Sequence, residues 1–166
     1  MDESRTHDDN QAIKDFVASH PDGVIASATL EGRPQASVVY FSVDDDMNFY
    51  FTTKSQTRKA QNIGERADVS IAIHDAPSQT VVKVAGKAER LSDPEETLEV
   101  YRRATVRGAE AAGADNVPPI ARITAGEFVA YRIKPDFLDF KSFSHGNNFR
   151  TAMEHATDRR EYGNPN

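Results

Sequence analysis

The chain lacks cysteine and tryptophan altogether. Without cysteine it can form no disulfide, no thiolate nucleophile and no sulfur-ligated metal centre, and this fits a reducing compartment. Any redox chemistry would therefore have to use a bound cofactor. With 166 residues, the chain is long enough for one domain with its own hydrophobic core, and a second domain is not expected.

Long hydrophobic runs and basic charge are also scarce. No apolar run approaches the roughly 20 residues of a membrane-spanning helix, and the polar, acidic start of the chain does not resemble a signal peptide. The net charge of −6 argues against a nucleic-acid partner, which would require a basic face. We therefore expect a cytoplasmic protein that binds neither nucleic acid nor a membrane.

A metal site is not expected either. The five histidines share no metal-ligand spacing. Three consecutive aspartates at 44–46 could suggest calcium, but an EF-hand loop would need glycine and glutamate where Phe49 and Ser55 stand. We interpret the triple aspartate as a turn between two strands.

Six segments have the residue types of β-strands, namely 23–29, 35–43, 48–52, 69–75, 80–91 and 127–143. Gly86 indicates a bulge in the fifth of these strands, and Pro135 could break the sixth. The strands do not alternate with helices as they would in a parallel sheet. The pattern predicts an α+β fold in which six strands form a barrel.

Three short helices are predicted beside the strands. The first begins near Asn10, and the second covers residues 57–63. The third begins at Asp93, an N-cap followed by proline and two glutamates, and runs to about residue 106. We expect its three arginines to face solvent, at positions 102, 103 and 107.

The ends of the chain are polar. We expect one domain over residues 10–150, preceded by a disordered or extended tail at 1–9 and followed by a polar tail at 151–166. The loop at 144–148, just after the last predicted strand, is a candidate for reaching a partner subunit.

The segment Thr52–Lys59 carries the strongest chemical signal. It contains four hydroxyl groups and three cations at the junction of a strand and a helix, and no acidic residue occurs from Met47 to Gly64. Free backbone N–H groups at a helix N-terminus favour an anion, and hydroxyl and guanidinium groups add directed donors. The segment therefore fits a phosphate group. The alternative is a capped helix with a solvated basic face.

The ordered motifs of the central block resemble a known family. They are EGRPQASVV at 31–39, FYFTT at 49–53, TRKAQNI at 57–63, VSI at 69–71 and GKAERLS at 86–92. From Gly23 onward they span about 70 consecutive residues. This block is similar to the pyridoxamine 5'-phosphate oxidase-like FMN-binding split-barrel family, in its general stress protein-like branch.

The resemblance implies a six-stranded antiparallel split β-barrel with flanking short helices, which binds FMN as a homodimer. It assigns the backbone of Val38 and Val39 to the flavin ring and Thr53 to holding the cofactor. It also assigns the phosphate to three consecutive residues, Thr57, Arg58 and Lys59. We add Ser55 as a candidate because it lies within the hydroxyl-rich segment.

The resemblance further implies a flavin oxidoreductase. Hydride would pass between the flavin and a small-molecule substrate, with NADH or NADPH as a candidate donor, and no side chain is required as a catalytic acid or base. The chain departs from the authentic oxidase at three positions. Ser37 and Ser42 stand where the oxidase has an arginine and a lysine, and Val81 stands at about the position where the oxidase uses a glutamine. The oxidase's C-terminal substrate-binding region has no match. Authentic oxidase activity is therefore not expected.

Three alternatives stay open from the sequence. The first is a flavin-binding or flavin-sensing module without turnover, which the missing substrate residues favour. The second is a split barrel that binds a deazaflavin, whose acidic tail would need a more basic groove. The third binds haem, with His74 at a strand end as the candidate ligand.

Overall fold

The computed structural model describes residues 3–113, 127–143 and 149–154, with side chains for 11–113 and 127–143. In these three ranges, three helices and seven strands follow one another. They are α1 (Glu3–Ser19), β1 (Asp22–Ala28), β2 (Pro34–Val43), β3 (Phe49–Lys54), α2 (Arg58–Glu65), β4 (Asp68–Asp75), β5 (Thr80–Arg90), α3 (Pro94–Ala112), β6 (Phe128–Ser142) and β7 (Phe149–Glu154).

The strands form one antiparallel sheet that closes on itself. Their order is β3-β2-β1-β4-β5-β6-β7, and β3 also pairs with β6. The first half of β6 makes this closing contact, from Phe128 opposite Lys54 to Ile133 opposite Phe49. Strands β1 to β6 form the closed barrel, and β7 is added beside β6. The predicted six-stranded antiparallel barrel with three helices is therefore confirmed.

Several element bounds differ from the sequence predictions. Helix α1 begins at Glu3 and so covers most of the stretch that we expected to be a disordered or extended tail. Helix α3 continues six residues beyond the predicted end. Strand β7 pairs with the second half of β6 and covers 151–154, residues that the sequence analysis assigns to the polar C-terminal tail. The loop at 144–148 lies outside the described residues.

The bulge expected at Gly86 is present, but its extra residue lies on β6, the strand that pairs with β5 at this point, and not on β5 itself. Ala85 lies opposite Phe137 but Gly86 lies opposite Pro135, which leaves Asp136 as the extra residue on β6. A Cβ atom on Gly86 would come within 2.3 Å of the carbonyl oxygen of Lys134. Only glycine allows this close approach of the two backbones. Strand β6 is continuous through Pro135, so the break considered there does not occur.

The core fills the barrel interior with aromatic and branched side chains. Phe41, Phe49 and Phe51 are fully buried, together with isoleucines and valines from the other strands. Helix α1 contributes Ile13 and Val17 to the same cluster. Because successive strand residues point to opposite faces, these inward positions alternate with outward ones along each strand.

Helix α3 lies over the outer face of β2 and β3. Val100 packs in a second buried cluster with Leu91 and Ala130, and Tyr50 packs against it. At its N-terminus, the Asp93 carboxylate accepts a hydrogen bond from Glu95 N at 3.0 Å, so the predicted N-cap is confirmed.

Arg107 fastens α3 to the end of α1. Its guanidinium donates to the carbonyl oxygens of Val17 (3.4 Å), Ala18 (3.0 Å) and His20 (3.0 Å). Val17 and Ala18 lie in the last turn of α1, where carbonyls have no partner further along the helix, and His20 follows directly after its end. The expectation that Arg107 only faces solvent was therefore wrong, because its length lets it reach a neighbouring helix. Within the described residues, no helix is both long and apolar enough to cross a membrane.

Candidate functional site

The junction between β3 and α2 is organised around the hydroxyl of Thr57. Thr57 is the N-cap of α2, and its Oγ1 accepts a hydrogen bond from Ala60 N at 3.2 Å. The same oxygen donates to the carbonyl of Lys54 at 2.9 Å. It also lies 3.1 Å from Thr53 Oγ1. With its single proton donated to Lys54, Thr57 can only accept from Thr53.

These contacts change the roles that the sequence suggested for the hydroxyl groups. Thr53 is buried, at 6% exposure, and its proton points to Thr57. Ser55 is exposed and donates from both its backbone N–H (2.9 Å) and its Oγ (3.3 Å) to the carbonyl of Glu127. The hydroxyls of Thr53, Ser55 and Thr57 thus hold the loop and the helix start in place.

Arg58 and Lys59 occupy the first turn of α2, as predicted, but they point to different environments. Arg58 is exposed, whereas Lys59 is buried at 8% exposure. None of the ion pairs among the described side chains involves either residue. Two cations with no counter-ion among the described side chains therefore lie at the positive end of a helix dipole, which is the arrangement that an anion complements.

Lys59 is held against the barrel interior. Its Nζ lies 5.8 Å from the centroid of the Phe51 ring, within the range of a cation–π contact. Burial lowers the pKa of Lys59 from 10.5 to about 8, because the ammonium loses hydration. This burial cannot be predicted from the sequence, since it depends on how α2 packs against the barrel.

A polar contact connects α2 to the first two strands. The side-chain amide nitrogen of Asn62 donates to Ser27 Oγ at 3.2 Å and to Gln35 Oε1 at 3.1 Å. Asn62 and Ser27 are both buried. Sequence reasoning missed this contact, which joins the helix that carries the cations to the strand that carries the predicted flavin-ring positions.

Val38 and Val39 lie on opposite faces of β2. Val39 is buried in the core at 4% exposure, whereas Val38 points outward and is 61% exposed. Val38 pairs in register with Val24, which is 44% exposed, and Val24 pairs with the exposed Ala72. An apolar strip therefore crosses the outer face of β2, β1 and β4.

Ser42 faces a groove between β2 and α3. The groove has a volume of about 480 Å³, and its lining includes Arg102, Arg103 and Arg107. Ser42 itself is buried at 8% exposure. Ser37, the other departure from the oxidase, lies on β2 opposite Ile25. Both serines are thus on the strand that the resemblance assigns to the flavin ring.

The two histidines with described side chains differ in their availability as ligands of a metal or haem iron. His20 stacks on Phe16, and its ring nitrogens lie 2.6 Å from Phe16 O and 3.8 Å from an Asp75 oxygen. His74 is exposed on β4, opposite Val81. Among the described residues, no three histidine or carboxylate side chains are grouped closely enough to hold a metal ion.

The family of the chain follows from comparison with known proteins. The family model described as pyridoxamine 5'-phosphate oxidase matches residues 10–138, which include the barrel from β1 to β5 and most of β6. The chain therefore belongs to the pyridoxamine 5'-phosphate oxidase family.

Curated relatives match over part of their length. A pyridoxine/pyridoxamine 5'-phosphate oxidase of a Janthinobacterium species is 22% identical over 135 residues, covering 70% of this chain and 64% of the relative. The corresponding oxidase of Hahella chejuensis is 37% identical over 73 residues, covering 44% and 34%. The chain thus spans less than two thirds of the length of these relatives.

Solved structures share the fold at low identity. A pyridoxamine 5'-phosphate oxidase-related, FMN-binding protein of Nostoc punctiforme has a TM-score of 0.58 at 15% identity, covering 86% of each chain. An F420 reductase has a TM-score of 0.56 at 23% identity, covering 73% of this chain and 91% of the other. A haem-binding protein of Mycobacterium smegmatis has a TM-score of 0.61 at 22% identity, covering 82% and 54%.

Proposed function

We propose that this chain binds FMN, with the flavin phosphate held at the N-terminus of α2. The observation that carries the proposal is the pair Arg58 and Lys59, two adjacent cations without counter-ions among the described residues. A phosphate would receive hydrogen bonds from the Arg58 guanidinium and from the Lys59 ammonium. It would also lie in the favourable field of the helix dipole.

Thr53, Ser55 and Thr57 have a supporting role in this proposal. Their hydroxyl protons are used within the protein, so they fix the geometry of the phosphate loop rather than act as its main donors. The Asn62 contact then sets the position of this loop relative to β2. The flavin ring would lie along the backbone of β2 at Val38 and Val39.

We further propose that the protein is an oxidoreductase. A bound flavin supplies hydride transfer to or from a small-molecule substrate, and the protein orients the ring and controls access to it. Membership in the oxidase family supports this activity. A purified, flavin-loaded protein should be reduced by NADH or NADPH and reoxidised by an acceptor. Failure with both nucleotides would count against an activity that uses them.

A second copy of this chain is the proposed partner. The apolar strip around Val24, Val38 and Ala72 is exposed, although large apolar patches are usually covered in soluble proteins. It crosses the strand that carries the proposed flavin-ring positions. A symmetric dimer would cover the strip of both copies through the same contact. Cytoplasmic localisation is part of the same proposal and rests on the absence of cysteine.

The departures at Ser37 and Ser42 favour one alternative, a flavin-binding module without turnover. Two cationic positions of the oxidase are neutral here, which weakens the case for a phosphorylated substrate. Flavin that stays bound while no substrate of a broad panel is turned over would support the module.

The cofactor itself is open to a direct test, because fold relatives include an F420 reductase and a haem-binding protein. Release of the cofactor from purified protein and measurement of its mass would distinguish FMN from a deazaflavin or haem. If the cofactor is haem, the exposed His74 is the first candidate for its ligand.

A further inference from the structure

Lys59 is the only lysine or arginine that is buried among the described side chains. Surface lysines keep their ammonium groups in water, but an 8% exposed lysine must give up most of its hydration. A carboxylate partner normally compensates this loss. Here the described residues provide none, so burial of the ammonium destabilises the charged form of Lys59 as long as no anion is bound.

The surroundings of Lys59 offer an aromatic ring rather than a charge. Helix α2 packs against β1 and β3, and β3 places Phe51 under the ammonium. The Phe51 ring stacks on Tyr131 of β6, with 5.3 Å between ring centroids. Burial raises the pKa of Tyr131, so its phenol stays neutral up to strongly alkaline pH. Besides Lys59, the charged residues on α2 and on the two strands it packs against are Arg58 and Glu65 on α2, Lys54 on β3, and Asp22 on β1.

None of these charged residues forms an ion pair with Lys59. Building on the proposed phosphate site, we propose that Lys59 couples flavin retention to pH. The phosphate binds the ammonium form, and a Lys59 that has lost its proton must take one up before the flavin can be held.

The direction of the coupling follows from the two states of Lys59. In the flavin-free protein, burial lowers the pKa of Lys59 to about 8. A phosphate dianion beside the ammonium raises the pKa again in the complex. Above about pH 8, affinity for FMN therefore falls by up to about tenfold per pH unit. Between about pH 6, where a phosphate monoester takes up its own second proton, and pH 8 the affinity stays constant.

Calorimetry with FMN tests this coupling directly. Titrations at about pH 7 and about pH 9, each in two buffers of different ionisation enthalpy, give both the affinity and the number of protons taken up. We expect almost no proton uptake at the lower pH. At the higher pH we expect close to one proton per flavin and an affinity about tenfold weaker.

The Lys59→Arg variant is the matched control, because a guanidinium keeps its charge throughout this range. Its FMN affinity should not change between the two pH values, whatever its absolute strength. Wild-type protein that binds FMN equally well at both pH values, without proton uptake, would overturn the inference and leave the proposed function intact. Wild-type protein that does not bind FMN at pH 7 would overturn both.

Discussion

The side-chain amide of Asn62 in α2 donates a hydrogen bond of 3.1 Å to the side-chain carbonyl of Gln35 in β2. The same amide donates to Ser27 Oγ in β1. This contact fastens the helix that carries Arg58 and Lys59 to the strand that carries Val38. The phosphate half and the ring half of the proposed flavin site are therefore positioned by one buried polar group.

Replacing Asn62 should weaken both the fold and the site. In Asn62→Leu, the buried Ser27 hydroxyl and the Gln35 carbonyl lose their common partner, which costs about 1–3 kcal/mol of unfolding free energy. Urea unfolding measures this loss, and FMN titration should show weaker binding. Gln61→Leu, at the exposed neighbouring position, is the control. It should change neither the free energy of unfolding nor the free energy of FMN binding by more than about 0.5 kcal/mol. Equal effects of the two substitutions would contradict the proposed role of Asn62.

Arg58→Gln should affect flavin binding without affecting stability. Arg58 is exposed and makes no ion pair with another described side chain. Its loss should therefore leave the urea midpoint of the flavin-free protein unchanged, while removing a charge-assisted contact of about 1.5–3 kcal/mol to the phosphate. Arg66→Gln, just beyond the opposite end of α2, serves as the control and should bind FMN normally. An Arg58 variant with wild-type affinity would remove this residue from the site.

The flavin-free protein should become more stable in mildly alkaline solution because of Lys59. Its pKa is lowered in the folded state to about 8, so between this value and 10.5 the unfolded chain binds more protons. Stability therefore rises with pH in this window, by an amount on the order of 1–3 kcal/mol. Below pH 8, the buried charge keeps its full cost.

Lys59→Met provides the comparison, because it removes the charge and retains an apolar chain. Urea unfolding of both proteins from about pH 7 to pH 10 isolates the Lys59 contribution from that of other titrating groups. The variant should be more stable at pH 7, and the difference should shrink as the pH rises. A difference that does not depend on pH would contradict the buried, uncompensated ammonium.

The bulge at Gly86 predicts a contrast between two glycines. Gly86→Ala would place a methyl group 2.3 Å from a backbone carbonyl oxygen that cannot move without displacing β6. We expect a loss of about 1–3 kcal/mol. Gly64→Ala in α2 meets no atom within 4 Å and should be neutral or stabilising by up to about 1 kcal/mol, because alanine favours helix. Thermal unfolding of both variants checks the prediction, which fails if Gly86→Ala unfolds like wild type.

The apolar strip predicts where a dimer would be disrupted. Val38→Asp should convert a dimer to monomers or weaken it more than about tenfold, since an unpaired carboxylate would be buried at the contact. Leu30→Asp is the control, because Leu30 is 64% exposed in the turn after β1, away from the strip. Analytical ultracentrifugation distinguishes the species. A wild-type monomer, or equal behaviour of both variants, would argue against this surface.

Local sequence patterns predicted most of the fold. Strand-favouring residue types located six strands to within about two residues, and Gly86 correctly indicated the position of the bulge, although the extra residue lies on β6. The Asp93 cap and the start of α2 after Thr57 were also correct, because capping depends on a few neighbouring residues. These features share a local cause, which a single sequence displays directly.

What the sequence could not predict depends on contacts between distant segments. The burial of Lys59 requires α2 to dock over Phe51, and the reach of Arg107 requires α1 and α3 to be neighbours. The hydroxyls of Ser55 and Thr57 were expected to face an anion. In the structure they donate hydrogen bonds to backbone carbonyls, and these contacts depend on the folded conformation of the loop.

A titration of flavin-free protein with FMN at about pH 7, followed by the flavin's visible absorbance, is the most direct test of a flavin phosphate site at α2. Wild type and the double variant Arg58→Gln/Lys59→Met are compared, with riboflavin as the ligand that lacks the phosphate. We expect saturable FMN binding by wild type, with affinity lower by at least about tenfold for riboflavin or for the double variant. Absence of FMN binding by the intact protein, or equal affinity for FMN and riboflavin, would contradict a flavin phosphate site at α2.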